Sequence, residues 1–338
     1  MKIEPVSAFR QVNQSGVPFM LPKISAIVPV FNTQDYIAAA LDSLLAQTVK
    51  FHEIIVIDDG STDASNAILR QYERDGKIRL LTQMNQGQGA ARNAGIALSE
   101  GDYIYFFDSD DLAAPTLVET VSREFERDPA LQLIVFAGKT FYDDKAPPSK
   151  FQPSYERSKI GRYETFLDAA RAMDAARENH PQPCLYVLSK AVITQADMHF
   201  SNSYHEDETF LIHMTAAVGP CKIIPDALFN RRVRSGSTMT MKKSAKHVTG
   251  YLLASEAAKR HANRTSLAVV QDYFIRKSLT HYLNAISVSY QVENYPRFRS
   301  IKNRFAALPF SKISLQQLLL LIGGEPALML KQRLLKRH

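Results

Sequence analysis

Residues 103–111, Tyr-Ile-Tyr-Phe-Phe-Asp-Ser-Asp-Asp, decide how the chain is read. An unbroken apolar and aromatic run from Tyr103 to Phe107 is what a strand buried on both faces requires. Polar residues follow at once, so Asp108, Ser109, Asp110 and Asp111 fall at the carboxyl end of that strand. Clustered carboxylates repel one another unless a cation or a hydrogen-bond donor sits among them. A hard divalent ion such as Mg²⁺ suits one or two carboxylates plus substrate phosphates. The same spacing also serves a loop whose aspartates cap the next helix, and this stretch alone leaves both readings open.

Outward from this strand the pattern repeats. Ile24 to Val30 (ISAIVPV) predicts a strand stopped by Pro29 and Asn32, and Asp35 to Ala46 carries Ile37, Leu41, Leu44 and Leu45 at helical spacing. Glu53 to Ile57 predicts a buried strand ending in the turn Asp58-Asp59-Gly60-Ser61, with a helix from Thr62 or Asp63. Further strands are predicted at Ile78–Leu81 and Leu131–Phe136, and further helices at Ala90–Leu98 and Leu117–Phe125. Near-continuous apolar strands separated by helices give an α/β fold, a mostly parallel, Rossmann-like sheet covered on both faces. Ligands of such sheets collect at the carboxyl ends of the strands. Asn32, Asp58-Asp59 and Asp108 to Asp111 all fall on that rim.

The pattern loosens after Gly138: Asp143 to Ser154 is a proline- and charge-rich connector, and Tyr163 to Glu178 predicts a helix. The stretch from His180 to Met241 mixes strand-like and helical pieces, Ser244 to Glu293 is almost wholly helical, and basic helices recur to His338. The expected organisation is an N-terminal extension over 1–22, an α/β domain over 23–236 with halves 23–112 and 113–236, and a helical C-terminal region over 237–338.

A net charge of +7 favours anionic partners without choosing among nucleotide diphosphates, nucleic acid and acidic lipid. Nucleic acid is disfavoured, since basic residues interleaved with exposed aromatics and known reader motifs are both missing. Only two cysteines occur, Cys184 and Cys221, which excludes a disulfide framework or cysteine-based zinc site and fits a reduced compartment. Residues 1–22 lack a signal-peptide pattern, and the apolar stretch around Leu318 to Ile322 is too short to span a bilayer.

Two further segments carry chemistry. In Val56 to Asp63 (VIDDGSTD), Ser61, Thr62 and Asp63 suit a turn and helix cap, whereas Asp59 at the rim can accept hydrogen bonds from a nucleobase or ribose. Gln86 to Gly95 (QGQGAARNAG) is a Gly-rich helix entry with Arg92 and Asn93 on the first turns, where phosphate is attracted. It is not a dinucleotide fingerprint, since the third glycine is missing and the segment follows the third strand, and the chain has no P-loop.

Four motifs in order, Ile27-Val28-Pro29-Val30-Phe31-Asn32, Asp58-Asp59-Gly60-Ser61-Thr62-Asp63, Ala91-Arg92-Asn93-Ala94-Gly95 and Phe107-Asp108-Ser109-Asp110-Asp111, resemble the family 2 glycosyltransferases of the GT-A fold, polysaccharide-biosynthesis type. The resemblance covers roughly the first 110 residues and implies an inverting transfer of a sugar from a nucleotide diphosphate, by default UDP, to a hydroxyl. By it, Pro29, Phe31 and Asn32 would line the nucleotide cleft, Asp59 would read the base and Arg92 would sit near the nucleotide. Asp108 would face the ribose or the metal, Mg²⁺ or Mn²⁺, and Asp110 would be its principal contact.

The family's general base is the Asp of a Glu-Asp pair, which Tyr204-His205-Glu206-Asp207-Glu208-Thr209-Phe210 matches, making Asp207 the candidate. An acidic helix start is the other reading of that triplet. Asn230 to Thr240 resembles the family's later Arg-rich motif. On a strand Arg232 and Arg234 share one face and Arg231 takes the other, so the pair either stabilises the leaving diphosphate or forms a solvated basic face. The loop after them is expected to close over the donor. His205, His213 and His247 lie near these motifs in sequence, and none is assigned to the metal.

The resemblance places the protein in the cytoplasm or peripherally on the inner face of the plasma membrane, acting on a glycan or lipid-linked acceptor in surface polysaccharide assembly. Leu315 to Arg337 forms basic amphipathic helices that either rest on an anionic membrane or pack on protein. The sugar and acceptor pockets belong to the stretch from Gly138 to Tyr204. A sugar-phosphate nucleotidyltransferase would open with a Gly-rich, basic loop where Pro29-Val30-Phe31-Asn32 stands, and an inactive sugar-nucleotide binder sits poorly with Asp110 and Asp207 retained.

Overall fold

The computed structural model describes residues 21–143, 153–234 and 242–292. Strands β1 (Ile24–Val30), β2 (Glu53–Asp58), β3 (Arg79–Thr82) and β4 (Tyr103–Phe106) run parallel in the order β3-β2-β1-β4. Helices α1 (Ile37–Leu45), α2 (Ser65–Arg74) and α3 (Gln88–Leu98) make the crossovers. Every residue of β1 is buried, as a central parallel strand demands. Ile24, Ala26, Val28 and Val30 face one helical layer with Ile37, Leu41 and Leu44 of α1, whereas Ile27 faces the other. Pro29 lies past the last β1–β4 register pair, Ile27 with Phe106, so its missing N–H breaks no rung on that side.

The second half adds β5 (Leu112–Ala113), α4 (Leu117–Arg127), β6 (Leu133–Tyr142), β7 (Gly161–Tyr163), α5 (Phe166–Ala176), β8 (Tyr186–Ser189), α6 (Lys190–Gln195), α7 (Glu206–Ala217) and β9 (Cys221–Val233). The sheet continues from β4 through β8, β6 and β9 to β5, with β7 beside β9. β8 is antiparallel to β4 and β6, β9 is parallel to β6, and β5 and β7 are antiparallel to β9. After Ser244 the chain forms a long helical hairpin, α8 (Ala245–Asn263) and α9 (Ala268–Ser289). Its Ala254, Ala257, Ala258, Tyr273 and Phe274 share one core with Phe106, Phe200 and Phe210, so the hairpin is fused to the α/β layer.

Two element starts shift for identifiable reasons. α2 begins at Ser65, not at Thr62 or Asp63, because Asn32 Oδ1 accepts Thr62 N–H (2.8 Å) and Gln34 Oε1 accepts Ala64 N–H (2.8 Å), holding that stretch outside the helix. α5 begins at Phe166, capped by Thr165, because residues 161–163 pair with β9. Among the described residues no helix is long and apolar enough to cross a membrane. The stretch 315–337, expected from the sequence to form basic helices, lies outside the described residues, as do 144–152 of the connector.

Candidate active site

The carboxyl ends of β1, β2 and β4 meet on one rim, and each end is held by a different kind of partner. After β1, Asn32 takes a positive φ of 51°, a conformation asparagine tolerates. Its N–H donates to Ser61 Oγ (3.1 Å) while its carboxamide oxygen receives Thr62. Asn32 thus ties the two strand ends together, leaving Phe31 beside it 46% exposed on the rim and Pro29 buried in the strand.

After β2, the buried carboxylate of Asp59 accepts Gln83 Nε2 (2.7 Å), Gln86 N–H (2.9 Å) and Gly87 N–H (2.8 Å). It thereby folds the entry to α3. Asp58 beside it accepts Ser61 N–H (3.0 Å) and Asn66 Nδ2 (2.6 Å).

After β4, the arrangement changes to charge against charge. Asp108 Oδ1 accepts Gln88 Nε2 (3.0 Å) and the Arg92 guanidinium (2.8 Å). The other terminal nitrogen of Arg92 reaches Glu206 Oε1 at 2.8 Å, and Arg92 itself is only 2% exposed. Burial works against that charge, but Asp108 and Glu206 outweigh it and raise the guanidinium's pKa further. Asp110 Oδ2 pairs with Arg234 Nε (2.7 Å), and its backbone carbonyl accepts Arg232 Nε (2.8 Å). Both guanidinium groups lie over the Tyr36 ring, at 5.2 Å and 4.8 Å, and Arg232 also faces Phe141 at 4.7 Å. Arg231 turns the other way, donating to the Tyr155 hydroxyl, as strand alternation requires.

Asp111 is buried, accepts Arg232 N–H (2.7 Å), and is held well above the usual carboxylate range by burial and then by Asp110 and Asp108. Ligand atoms of Asp108, Asp111 and Cys184 lie within 4.8 Å of one another, the only such group among the described residues. Burial and the same two carboxylates push the Cys184 thiol well up, which keeps it protonated and leaves the aspartates as the hard donors. No histidine joins that group: His205 stacks on Tyr251 (3.8 Å), His247 stacks on Tyr204 (4.3 Å), and His213 Nδ1 meets His261 Nε2 at 3.0 Å.

Asp207 is the second residue of α7, partly buried, with Oδ1 accepting the N–H of Glu208 (2.9 Å). Burial, then Glu206, then Glu208 hold its carboxyl well above the ordinary value. Burial likewise raises Glu208 to about 7, with Asp174 adding to the rise and Lys277 opposing it. Through Arg92 the helix carrying Asp207 is linked to the end of β4. Sequence reasoning did not find Glu206 as the Arg92 partner, nor Tyr36, Phe141 and Gln88. Each acts across the fold or by ring contact, and only the adjacency of Glu206 to Asp207 offered a signal. Residues 235–241, the loop expected to close over the donor, lie outside the described residues.

A half-parallel sheet with acidic strand ends on one rim and a carboxylate-bearing helix set against them defines the GT-A class of α/β protein. The first 349 residues of S. aureus TarS, in complex with UDP-GlcNAc, superpose with a TM-score of 0.63 at 19% identity over 83% of each chain. Among proteins similar in sequence, glycosyltransferase GlyA of Streptococcus pneumoniae is 45% identical over 30% of this chain, and glycosyltransferase GlyG of the same organism 29% identical over 64%. Chondroitin synthase of Escherichia coli is 36% identical over 34% of it. The chain spans 15% of GlyA, 17% of the chondroitin synthase and 72% of GlyG. Residues 25–176 match the model of the glycosyl transferase family 2.

Proposed function

We propose that the chain is an inverting glycosyltransferase that moves a sugar from a nucleotide diphosphate, with UDP the first candidate, to a hydroxyl of a glycan or lipid-linked acceptor. The observation that carries this reading is the pairing, across Arg92, of the Asp108 rim with the α7 start that presents Asp207. Asp207 takes the acceptor proton, the freed oxygen attacks the anomeric carbon, and the bond from that carbon to the diphosphate oxygen breaks on the opposite side. A carboxyl raised above its ordinary value is better matched to that proton transfer near neutrality. Arg232 and Arg234 present positive charge to the departing diphosphate.

The donor set suits a divalent ion: Asp110 and Asp108 are partly exposed carboxylates, at 21% and 28%, on the rim where phosphates would arrive. Those two would hold Mg²⁺ or Mn²⁺, which when bound neutralises diphosphate charge. Phe31 offers an exposed ring beside the nucleotide cleft and Asn32 shapes its wall. Asp59 serves base recognition by setting the loop at 83–87. The domain division at about residue 236 and a cytoplasmic or peripheral membrane setting belong to the same proposal. UDP is favoured because TarS, which shares the fold, was crystallised with UDP-GlcNAc, and surface polysaccharide assembly fits the relatives' names.

Calorimetric titration of UDP, GDP and ADP, each with and without Mn²⁺, on wild type and Asp110→Ala tests the reading. Metal-dependent binding of one nucleotide, lost in the variant, is expected; no binding of any nucleotide by wild type would overturn it.

A further inference from the structure

One face of α3 carries Gly89, Arg92, Asn93 and Ile96 at helical spacing, and it meets the segment leading into the base helix. Three independent contacts make the joint. Asn93 spends both ends of its carboxamide on the backbone of Phe200, donating to its carbonyl (2.9 Å) and accepting its N–H (2.9 Å). Gly89 lets the backbone approach: a Cβ there would stand 2.4 Å from Ser201 O and 3.4 Å from Glu206 Cγ. Arg92 bridges Asp108 and Glu206 and lies over the Phe200 ring at 5.1 Å, and that ring stacks on Phe210 of α7 at 4.1 Å.

An arginine so placed has little left to offer a nucleotide. Its two terminal nitrogens are committed to carboxylates, its ring-facing surface to Phe200, and its Nε is closed off from solvent without a partner. Asp207 adjoins Glu206, so whatever fixes Glu206 fixes the first turn of the helix that presents Asp207.

We propose that Gly89, Arg92 and Asn93 form a docking face that positions the Asp207 helix against the Asp108 rim, with Arg92 acting through Glu206 and Asp108 and not by touching the nucleotide. The inference rests on Asp207 as the base and makes Arg92 a positioning residue. Removing the guanidinium leaves Glu206 beside Asp207 without its cation, so the acid limb of the pH–rate profile moves to higher pH.

The experiment is hydrogen exchange by mass spectrometry on the full chain, with Mn²⁺–UDP calorimetry on the same proteins: wild type, Gly89→Ala, Arg92→Lys, Arg92→Met, Glu206→Gln and the Arg92→Met/Glu206→Gln pair. Amides of 200–210 should exchange about tenfold faster in Arg92→Met and Gly89→Ala, while β1 to β3 stay as protected as in wild type. Adding Glu206→Gln to Arg92→Met should cost less than the two changes summed, because the orphaned carboxylate is then neutral. Arg92→Lys and Gly89→Ala should keep UDP affinity within about threefold while kcat for transfer falls about tenfold or more with donor KM unchanged.

A loss of UDP affinity of about tenfold or more in Arg92→Lys, with exchange at 200–210 unaltered, would make Arg92 a nucleotide contact and overturn the proposal. Equal loosening of β1 to β3 and 200–210 would overturn it too, as a general packing role. Failure of wild type to bind UDP counts against the transferase reading, and the exchange comparison still decides the docking face.

Discussion

The two acidic clusters of the rim look alike in sequence and are built on opposite principles. At the end of β2, Asp58 and Asp59 are buried and surrounded by neutral donors: backbone N–H groups and carboxamides from residues 61–87. At the end of β4, Asp108 and Asp110 stay partly exposed and are met by arginines. Asp111 and Asp207 are meanwhile pushed above their ordinary range, chiefly by burial and by neighbouring acids. A carboxylate satisfied by fixed amides holds a loop in shape. One balanced by a partly solvated guanidinium, as Asp110 is by Arg234, can take a metal ion in its place while the guanidinium turns to a diphosphate. The difference teaches that acidic strand ends need not share one role: one cluster folds the cleft, and the other is the one proposed to meet the ligand.

The contrast is broken most directly at Asp207. Asp207→Asn should lower kcat about 10²- to 10⁴-fold while leaving nucleotide affinity and the unfolding midpoint nearly unchanged. Stopped transfer assays on saturating donor, alongside calorimetry, check both halves. A variant as active as wild type would remove Asp207 as the base. The opposite profile is expected at Asp59: Asp59→Ala strands the N–H groups of Gln86 and Gly87, and should cost about 2–4 kcal/mol in urea unfolding. A stable Asp59→Ala protein that has merely lost nucleotide affinity would move Asp59 into the ligand-facing class.

The sequence made the strands legible because parallel strands buried on both faces are written as unbroken apolar runs, as in Ile24–Val30 and Tyr103–Phe106. The rim followed from where those runs stop. What it concealed is set by residues distant in the chain. The start of α2 depends on Asn32 and Gln34, about thirty positions earlier, and the Arg92–Glu206 pair spans 114 positions. Arg92 was legible as a site residue by motif, but its burial and its two carboxylates are properties of the folded joint. The second half was harder because β8 and β9 enter out of order, between and beyond β4 and β6, so no local periodicity announces their neighbours.

A finer test, made at the acidic start of α7, uses pH. Glu208 ordinarily titrates near 4.5 and is raised to about 7 in the folded protein, so the fold binds its proton more tightly than the unfolded chain does. Its stabilising contribution is therefore fully present below about pH 4.5 and is lost as pH climbs towards 7. His281 Nε2 lies 3.9 Å from Glu208 Oε2, and burial first, then Lys277, lower its pKa to about 3, so it is neutral throughout that window. Wild type should lose about 1–3 kcal/mol relative to Glu208→Gln between those pH values, read from chemical unfolding at each. Parallel curves for the two proteins would show that Glu208 is not buried against its charge.

The smallest effect is expected at Arg234, and it bears on whether a guanidinium in this cluster is a structural or an exchangeable partner. Arg234 and Asp110 are both about one-fifth exposed, and water competes for both ends of their contact. Arg234→Gln should cost less than about 1 kcal/mol in unfolding, a loss further reduced by added salt, because partly solvated ion pairs contribute little and are screened. The buried Arg92 bridge is the internal standard: Arg92→Met leaves Asp108 and Glu206 facing each other and should cost about 3–5 kcal/mol. If the cluster is divided in this way, an inner guanidinium sets the geometry and an outer one is light enough to leave Asp110 when a cation arrives. Equal costs at the two arginines would erase that division, and Arg234 would belong with the amides that shape the cleft.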